Sequence, residues 1–157
     1  MYKVWSLAIG ILILGSCTSK ESFTKRDNRK LIKTTKKMIG VPYKWGGEDP
    51  SGMDCSGLLF YSYGQYKFQI PRVTSQQANF GKSLPIRRAK EGDWIMFATE
   101  GSKSINHVGM VIDKIEKKNL DFIHSSSSKG VRVDNITNSY WNKAYVKVVR
   151  PTKIKKK

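Results

Sequence analysis

Apolar positions are distributed along the chain in three ways. Val4 to Leu14 is a nearly unbroken apolar run of eleven residues. A polar stretch follows from Thr18 to Arg26. Leu31, Thr35 and Met38 then recur at helical spacing, with Ile32 and Ile39 beside them. This predicts a helix from an Asn28 cap to Ile39, stopped at Gly40. Pro42 to Gly52, rich in proline, glycine and acidic residues, reads as a loop. A second helix is predicted from an Asp54 cap over Cys55 to about Tyr66, carrying Leu58, Leu59, Tyr61 and Tyr63. Thr74 or Ser75 caps a short third helix.

The period then changes to two. Glu91-Gly92-Asp93 reads as a turn and Trp94–Phe97 as a strand. From His107 to Asp113, Val108, Met110 and Ile112 share one face, and His107, Gly109 and Val111 the other. Leu120–His124, Val131–Val133 and Tyr145–Arg150 read as further strands, with Ser125 to Gly130 a loop. Helices followed by a meander of strands predict an α+β architecture, N-terminal helices on an antiparallel sheet of five to six strands.

Length and composition narrow the picture. The 157 residues fit one domain, and 39% hydrophobic with 11% aromatic residues supply one core. Two cysteines and two histidines exclude a disulfide framework, a four-cysteine metal site and a His-rich site. No segment reaches the roughly 18 apolar residues of a spanning helix. The 29 Lys+Arg outweigh 12 Asp+Glu, for a formal charge of +17. Such an excess calls for an anionic neighbour: nucleic acid, acidic lipid or a wall polymer.

The apolar run is too short to cross a bilayer and ends in Leu14-Gly15-Ser16-Cys17. This segment resembles the lipobox of bacterial lipoproteins. The resemblance implies cleavage before Cys17 and acylation of its thiol, leaving +16 once Lys3 departs with the leader. Thr18, rather than Asp, after Cys17 resembles the outer-membrane default of Gram-negative lipoproteins. The expected location is therefore the cell envelope, lipid-anchored. Cys55 then remains as a single thiol in an exported protein, where it must be buried or used.

Cys55 stands where a glycine-rich loop becomes a helix. Unpaired N–H groups there favour a thiolate, and Ser56 and Gly57 leave the sulfur accessible. A catalytic thiol needs a base and a group to orient that base. His107 and His124 lie on consecutive strands, and Gly109 leaves room beside His107. One imidazole serves as base and the other holds its ring. Zinc ligation by these residues with Asp54 is disfavoured, because no short ligand pair such as C-x-x-C or H-x-x-x-H is present. The lysines of the first predicted helix read as a solvated face, and Trp45 as core packing.

Several separated strings resemble the NlpC family of papain-like bacterial cell-wall peptidases. They are Gly40-Val41-Pro42-Tyr43-Lys44-Trp45-Gly46-Gly47, Asp54-Cys55-Ser56-Gly57, Pro71-Arg72-Val73-Thr74-Ser75-Gln76-Gln77, Gly92-Asp93-Trp94, His107-Val108-Gly109 and Phe122-Ile123-His124-Ser125. Together they span about Arg29 to Pro151 in the family's order. The resemblance implies hydrolysis of peptidoglycan stem peptides, typically between γ-linked D-glutamate and a diamino acid. Cys55 would be the nucleophile, His107 the base and His124 the third polar residue. The Tyr43 hydroxyl would help polarise the scissile carbonyl, and Asp54 and Ser56 would contact substrate.

The expected organisation is a signal peptide over 1–16, a tether over 17–27, a peptidase domain over 28–151 and a basic tail over 152–157. Expected partners are stem peptides and, through the anchor, a membrane. No cofactor, metal or nucleic acid is expected, and the chain reads as a monomer. Two other classes remain open at this point: an acyl- or amidotransferase on the same machinery, and a non-hydrolytic wall-binding protein.

Overall fold

The alternation that predicts strands in the second half of the chain places two different cores on the two faces of one sheet. The computed structural model describes residues 20–154. In chain order it holds β1 Lys20–Ser22, α1 Lys25–Lys36, β2 Glu48–Asp49, β3 Gly52–Met53, α2 Cys55–Gly64, α3 Thr74–Gln77, β4 Gly81–Leu84, β5 Trp94–Phe97, β6 His107–Glu116, β7 Asn119–Ser126, β8 Gly130–Asn135, α4 Ser139–Ala144 and β9 Tyr145–Ile154. β2 and β3 form a small hairpin. The other seven strands make one sheet of order β1-β9-β5-β6-β7-β8, with β4 also paired to β9. Every pairing within this sheet is antiparallel.

Val108, Met110 and Ile112 pack with Leu31, Ile32, Leu58, Leu59 and Tyr63 from α1 and α2. Val111 packs with Ile95, Phe97, Leu120, Phe122 and Trp141 on the reverse face. Strands buried on both faces need apolar side chains at odd and even positions, and Trp94–Phe97 is accordingly buried throughout. In the first core the Trp94 indole N–H donates to the Tyr63 hydroxyl at 3.0 Å, so neither buried polar group is orphaned.

α1 starts earlier than the Asn28 cap predicts. Thr24 is the cap: its hydroxyl accepts from the Asp27 N–H at 3.1 Å, and the Asp27 carboxylate accepts from the Thr24 N–H at 2.9 Å. This reciprocal box outcompetes a single Asn. Asn28 lies inside the helix and donates to the Glu91 carbonyl at 3.0 Å, tying α1 to the turn before β5. α2 carries the predicted Asp54 cap and ends at Gly64. α3 has Val73 at its cap position, and Thr74 is its first residue.

The expected tether and tail are partly sheet. Lys20, Glu21 and Ser22 pair with Ile154, Lys153 and Thr152. The Lys153 ammonium meets the Asp27 carboxylate and lies over the rings of Phe23 and Phe68. Backbone pairing between distant segments leaves no local periodicity, so β1 was unreadable in isolation. β4 was equally silent, because three of its four residues are exposed. Residues 1–19, with the apolar run and Cys17, and residues 155–157 lie outside the described residues.

Candidate active site

Cys55 is the first residue of α2, and His107 is the first residue of β6. Both line one cleft of about 1210 Å³, with Tyr43, Trp45, Thr74, Asn106 and Trp141 among its walls. The Cys55 sulfur lies 3.6 Å from the Thr74 hydroxyl and 4.0 Å from the Asn106 carbonyl. Local sequence gives Thr74 no role beyond a helix cap; the fold turns it onto the nucleophile.

The loop ahead of Cys55 is held by its own tight packing. A Cβ on Gly57 would lie 2.0 Å from the Gly47 carbonyl oxygen, and one on Gly47 would lie 2.2 Å from that of Gly52. Only glycine allows these approaches. The Asp54 carboxylate accepts from Gly57 N–H at 2.6 Å, Gly46 N–H at 3.0 Å and the Ser56 hydroxyl at 3.0 Å. Arg72 adds two bonds at 3.0 Å and bridges to Glu48 at 2.7 Å. Burial opposes ionisation of Asp54, but Arg72 and the Gly57 N–H prevail, holding the carboxyl below its ordinary range. Asp54 and Ser56 border the cleft, yet their polar groups are spent on this clamp. Its partner Arg72 had no role assigned from sequence.

The two histidines meet as the consecutive strands predict. His107 Nε2 lies 2.9 Å from His124 Nδ1. His124 is fully buried, and its Nε2 lies 2.9 Å from Asp134 Oδ2. Asp134 also accepts from Arg132 at 2.6 Å and from the Trp141 indole at 3.2 Å. Trp141 stacks on His107 with ring centroids 5.3 Å apart. Asp134 and Trp141 were not singled out from sequence. Asp134 sits in a short strand, and only its pairing across from β7 gives it meaning.

This chain of contacts fixes the tautomers. An ionised carboxylate only accepts, so His124 Nε2 carries a hydrogen. His124 Nδ1 then accepts from His107 Nε2–H. His107 Nδ1 is left with a free lone pair, the atom available to take a proton. Burial, and secondarily His124, push the His107 imidazole down to about 3, so it is neutral at physiological pH.

The thiol departs from the expectation of a preformed thiolate. Burial pushes the Cys55 thiol up, against opposing hydrogen bonds from Thr74 and the Val108 backbone. Desolvation wins because Cys55 is only 8% exposed. The resting pair is thus a neutral thiol and a neutral imidazole. Tyr43 is positioned by a bridge to Met53. Burial, then the neighbouring Cys55 and Asp54, raise its phenol above the ordinary value, so it remains a hydrogen-bond donor. Trp45, expected in the core, is 88% exposed on the cleft rim. Gly46, with φ of +71°, belongs to the turn that carries it outward. Among the described residues no group of three His, Cys, Asp or Glu is placed to hold a metal ion.

A thiol and an imidazole that share one cleft on an α+β scaffold are the groups nucleophilic acyl transfer requires. The chain belongs to the NlpC/P60 family, whose model matches residues 40–150. It is 33% identical over 149 residues to the murein DD-endopeptidase MepH of Escherichia coli, covering 92% of this chain and 52% of that protein. It is 32% identical over 122 residues to the γ-D-glutamyl-L-lysine dipeptidyl-peptidase of Bacillus subtilis, covering 76% of this chain and 40% of that protein. The chain thus spans about half or less of the length of these relatives. An NlpC/P60 family protein from Bacillus cereus superposes with a TM-score of 0.71 at 28% identity, covering 82% of this chain and 40% of that one.

Proposed function

We propose that this chain is a lipid-anchored cysteine endopeptidase that hydrolyses peptidoglycan stem peptides at the bond between γ-linked D-glutamate and the diamino acid. The observation that carries the chemistry is His107: its Nε2 is held by His124, and its imidazole lines the same cleft as Cys55. As the Cys55 sulfur attacks the scissile carbonyl carbon, its proton passes to His107 Nδ1. The carbonyl π electrons move to oxygen, and the oxyanion takes hydrogen bonds from the Cys55 backbone N–H and the Tyr43 hydroxyl. Collapse breaks the C–N bond, and His107 returns the proton to the leaving amine. A water, deprotonated by His107, then attacks the thioester; its collapse releases the acid and restores the thiol.

The bond preference rests on the family resemblance and on the dipeptidyl-peptidase relative. A second reading, cleavage of the D,D cross-link, is favoured by similarity to MepH. One assay separates them. The chain from Ser19 onward retains every described element. It is incubated with purified stem peptides and with cross-linked dimers, beside Cys55→Ala, and the products are read by mass spectrometry. Cleavage at the γ-D-glutamyl bond, absent in the variant, is the expected result. Cleavage of the cross-link alone establishes the second reading. A new amide or ester in place of free acid and amine marks a transferase.

The anchor rests on Leu14-Gly15-Ser16-Cys17 after the apolar run. With several acyl chains at about 0.8 kcal/mol per buried CH₂, the wild-type chain stays with membranes in about 1 M salt. Cys17→Ser releases it under the same wash. Equal retention of both refutes the anchor.

A further inference from the structure

We infer that the basic groove beside the N-terminal strand docks on the phosphate headgroups of an anionic membrane and presents the catalytic cleft at the far edge of the sheet. The groove, of about 630 Å³, lies between α1, the turn before β5, the outer part of β6 and β9. It shares no residue with the cleft.

Its charge is unbalanced. Arg150 is neutralised by Asp93 through bonds of 2.8 and 2.7 Å. Lys114 donates to two backbone carbonyls, at 2.9 and 3.1 Å, and meets no carboxylate among the described residues. Lys25, Arg29 and Lys90 also line the groove, and none of them makes an ion pair among the described residues. Four uncompensated cations therefore converge on one cavity against the single carboxylate of Glu91. A phosphate-bearing ligand matches that field.

The chain's own path identifies the source of that phosphate. The sheet begins at Lys20, far earlier than the expected end of the tether. On the anchor reading proposed above, Cys17 lies three residues before it, and three extended residues reach about 11 Å at most. Ser22 and Phe23, just beyond, line the groove. Acylation at Cys17 therefore forces this edge to within about one Debye length of the headgroups. β1 and β8 are separated by five strand steps in the sheet order. At about 4.8 Å per step this is about 24 Å, with His124 on β7 and Asp134 on β8 near the distant edge.

The test uses the chain from position 17 onward carrying Cys17→Ser, so that docking is read without acyl chains. It is co-sedimented with vesicles of phosphatidylglycerol and phosphatidylcholine, and with vesicles of phosphatidylcholine alone. The expected result is salt-sensitive binding to the anionic vesicles only. Lys25→Gln/Arg29→Gln/Lys90→Gln should weaken it on the order of a hundredfold, since each near-surface cation contributes roughly fivefold. A control of equal charge loss at exposed positions on elements that do not line the groove, Lys103→Gln/Lys129→Gln/Lys143→Gln, should change it less than about threefold. Hydrolysis of a soluble stem peptide by the groove variant should match the parent, which also certifies folding. Equal loss in both triples would mean net charge alone and overturns the proposal. So does absence of binding to anionic vesicles, or capture of inorganic phosphate at the groove without vesicle binding. Failure of the anchor is read separately, by the salt wash of the wild-type chain.

Discussion

His124 Nε2 and Asp134 Oδ2 lie 2.9 Å apart on adjacent strands, and this contact decides which nitrogen of His107 is basic. His124 is wholly buried, so water cannot replace the partner of either ring nitrogen. The carboxylate selects one His124 tautomer, that tautomer selects one for His107, and the remaining lone pair does the proton transfer.

Asp134→Asn should therefore damage catalysis more than stability. An amide can donate to His124 Nε2 and stabilise the wrong tautomer, as in the corresponding carboxylate-to-amide change in serine proteases. Asp134 acts one residue further from the nucleophile, so the expected loss in kcat is smaller, about tenfold to a hundredfold, with KM nearly unchanged. Steady-state kinetics on a stem peptide measure the split. A lower unfolding midpoint with wild-type kcat would reduce Asp134 to a structural residue.

His107→Ala should remove the base and cost about 10² to 10⁴ in kcat. His124→Ala should cost less, because His107 keeps its Trp141 stacking and its place at the head of β6. His124→Gln serves as the folding control. Equal, complete loss in folded His107 and His124 variants would contradict the separate roles.

The neutral resting pair has a pH signature. Burial places the Cys55 thiol above its ordinary value, and His107 carries a proton only below about pH 3. Without substrate, the iodoacetamide alkylation rate should rise steadily through the alkaline range. A plateau between about pH 4 and 7 would instead reveal a thiolate–imidazolium pair. The same burial sets an acid limit on folding. His107 protonates in the unfolded chain near 6.5 and in the folded chain near 3. Its contribution is complete above about 6.5 and is lost as pH falls toward 3, at up to about 1.4 kcal/mol per pH unit.

Tyr63→Phe should destabilise the fold without touching the chemistry. It strips the acceptor from the Trp94 indole N–H, and both residues are fully buried. An orphaned buried donor costs about 1 to 3 kcal/mol. Urea denaturation should show that loss at unchanged m-value, with kcat near wild type.

Trp45→Ala should do the reverse. An 88% exposed side chain contributes little to folding, so stability should stay within about 0.5 kcal/mol. Trp45 borders the cleft, so KM for stem peptides should rise. A large fall in the unfolding midpoint would restore the core reading of this residue.

Much of the scaffold was legible because local rules and tertiary demands agree. Asp54 caps α2 as an acceptor before a helix must, and Val108, Met110 and Ile112 take one face as a period of two requires. Trp45 misled because its neighbours, Tyr43 and the glycines, look alike whether the loop folds inward or outward. α1 misled because two caps competed, and the reciprocal Thr24–Asp27 bonds won.

The residues of the chain determined by themselves that a thiol would sit at a helix start and two imidazoles on neighbouring strands, since caps and strand periods act over a few residues. Tertiary structure alone decided that β1 closes onto β9, that Arg72 locks Asp54, that Thr74 faces the sulfur, and that Asp134 and Trp141 complete the histidine relay. It also decided that the thiol and imidazole rest uncharged. Each of these is a contact between separate elements, or a consequence of burial, and neither leaves a pattern along the sequence.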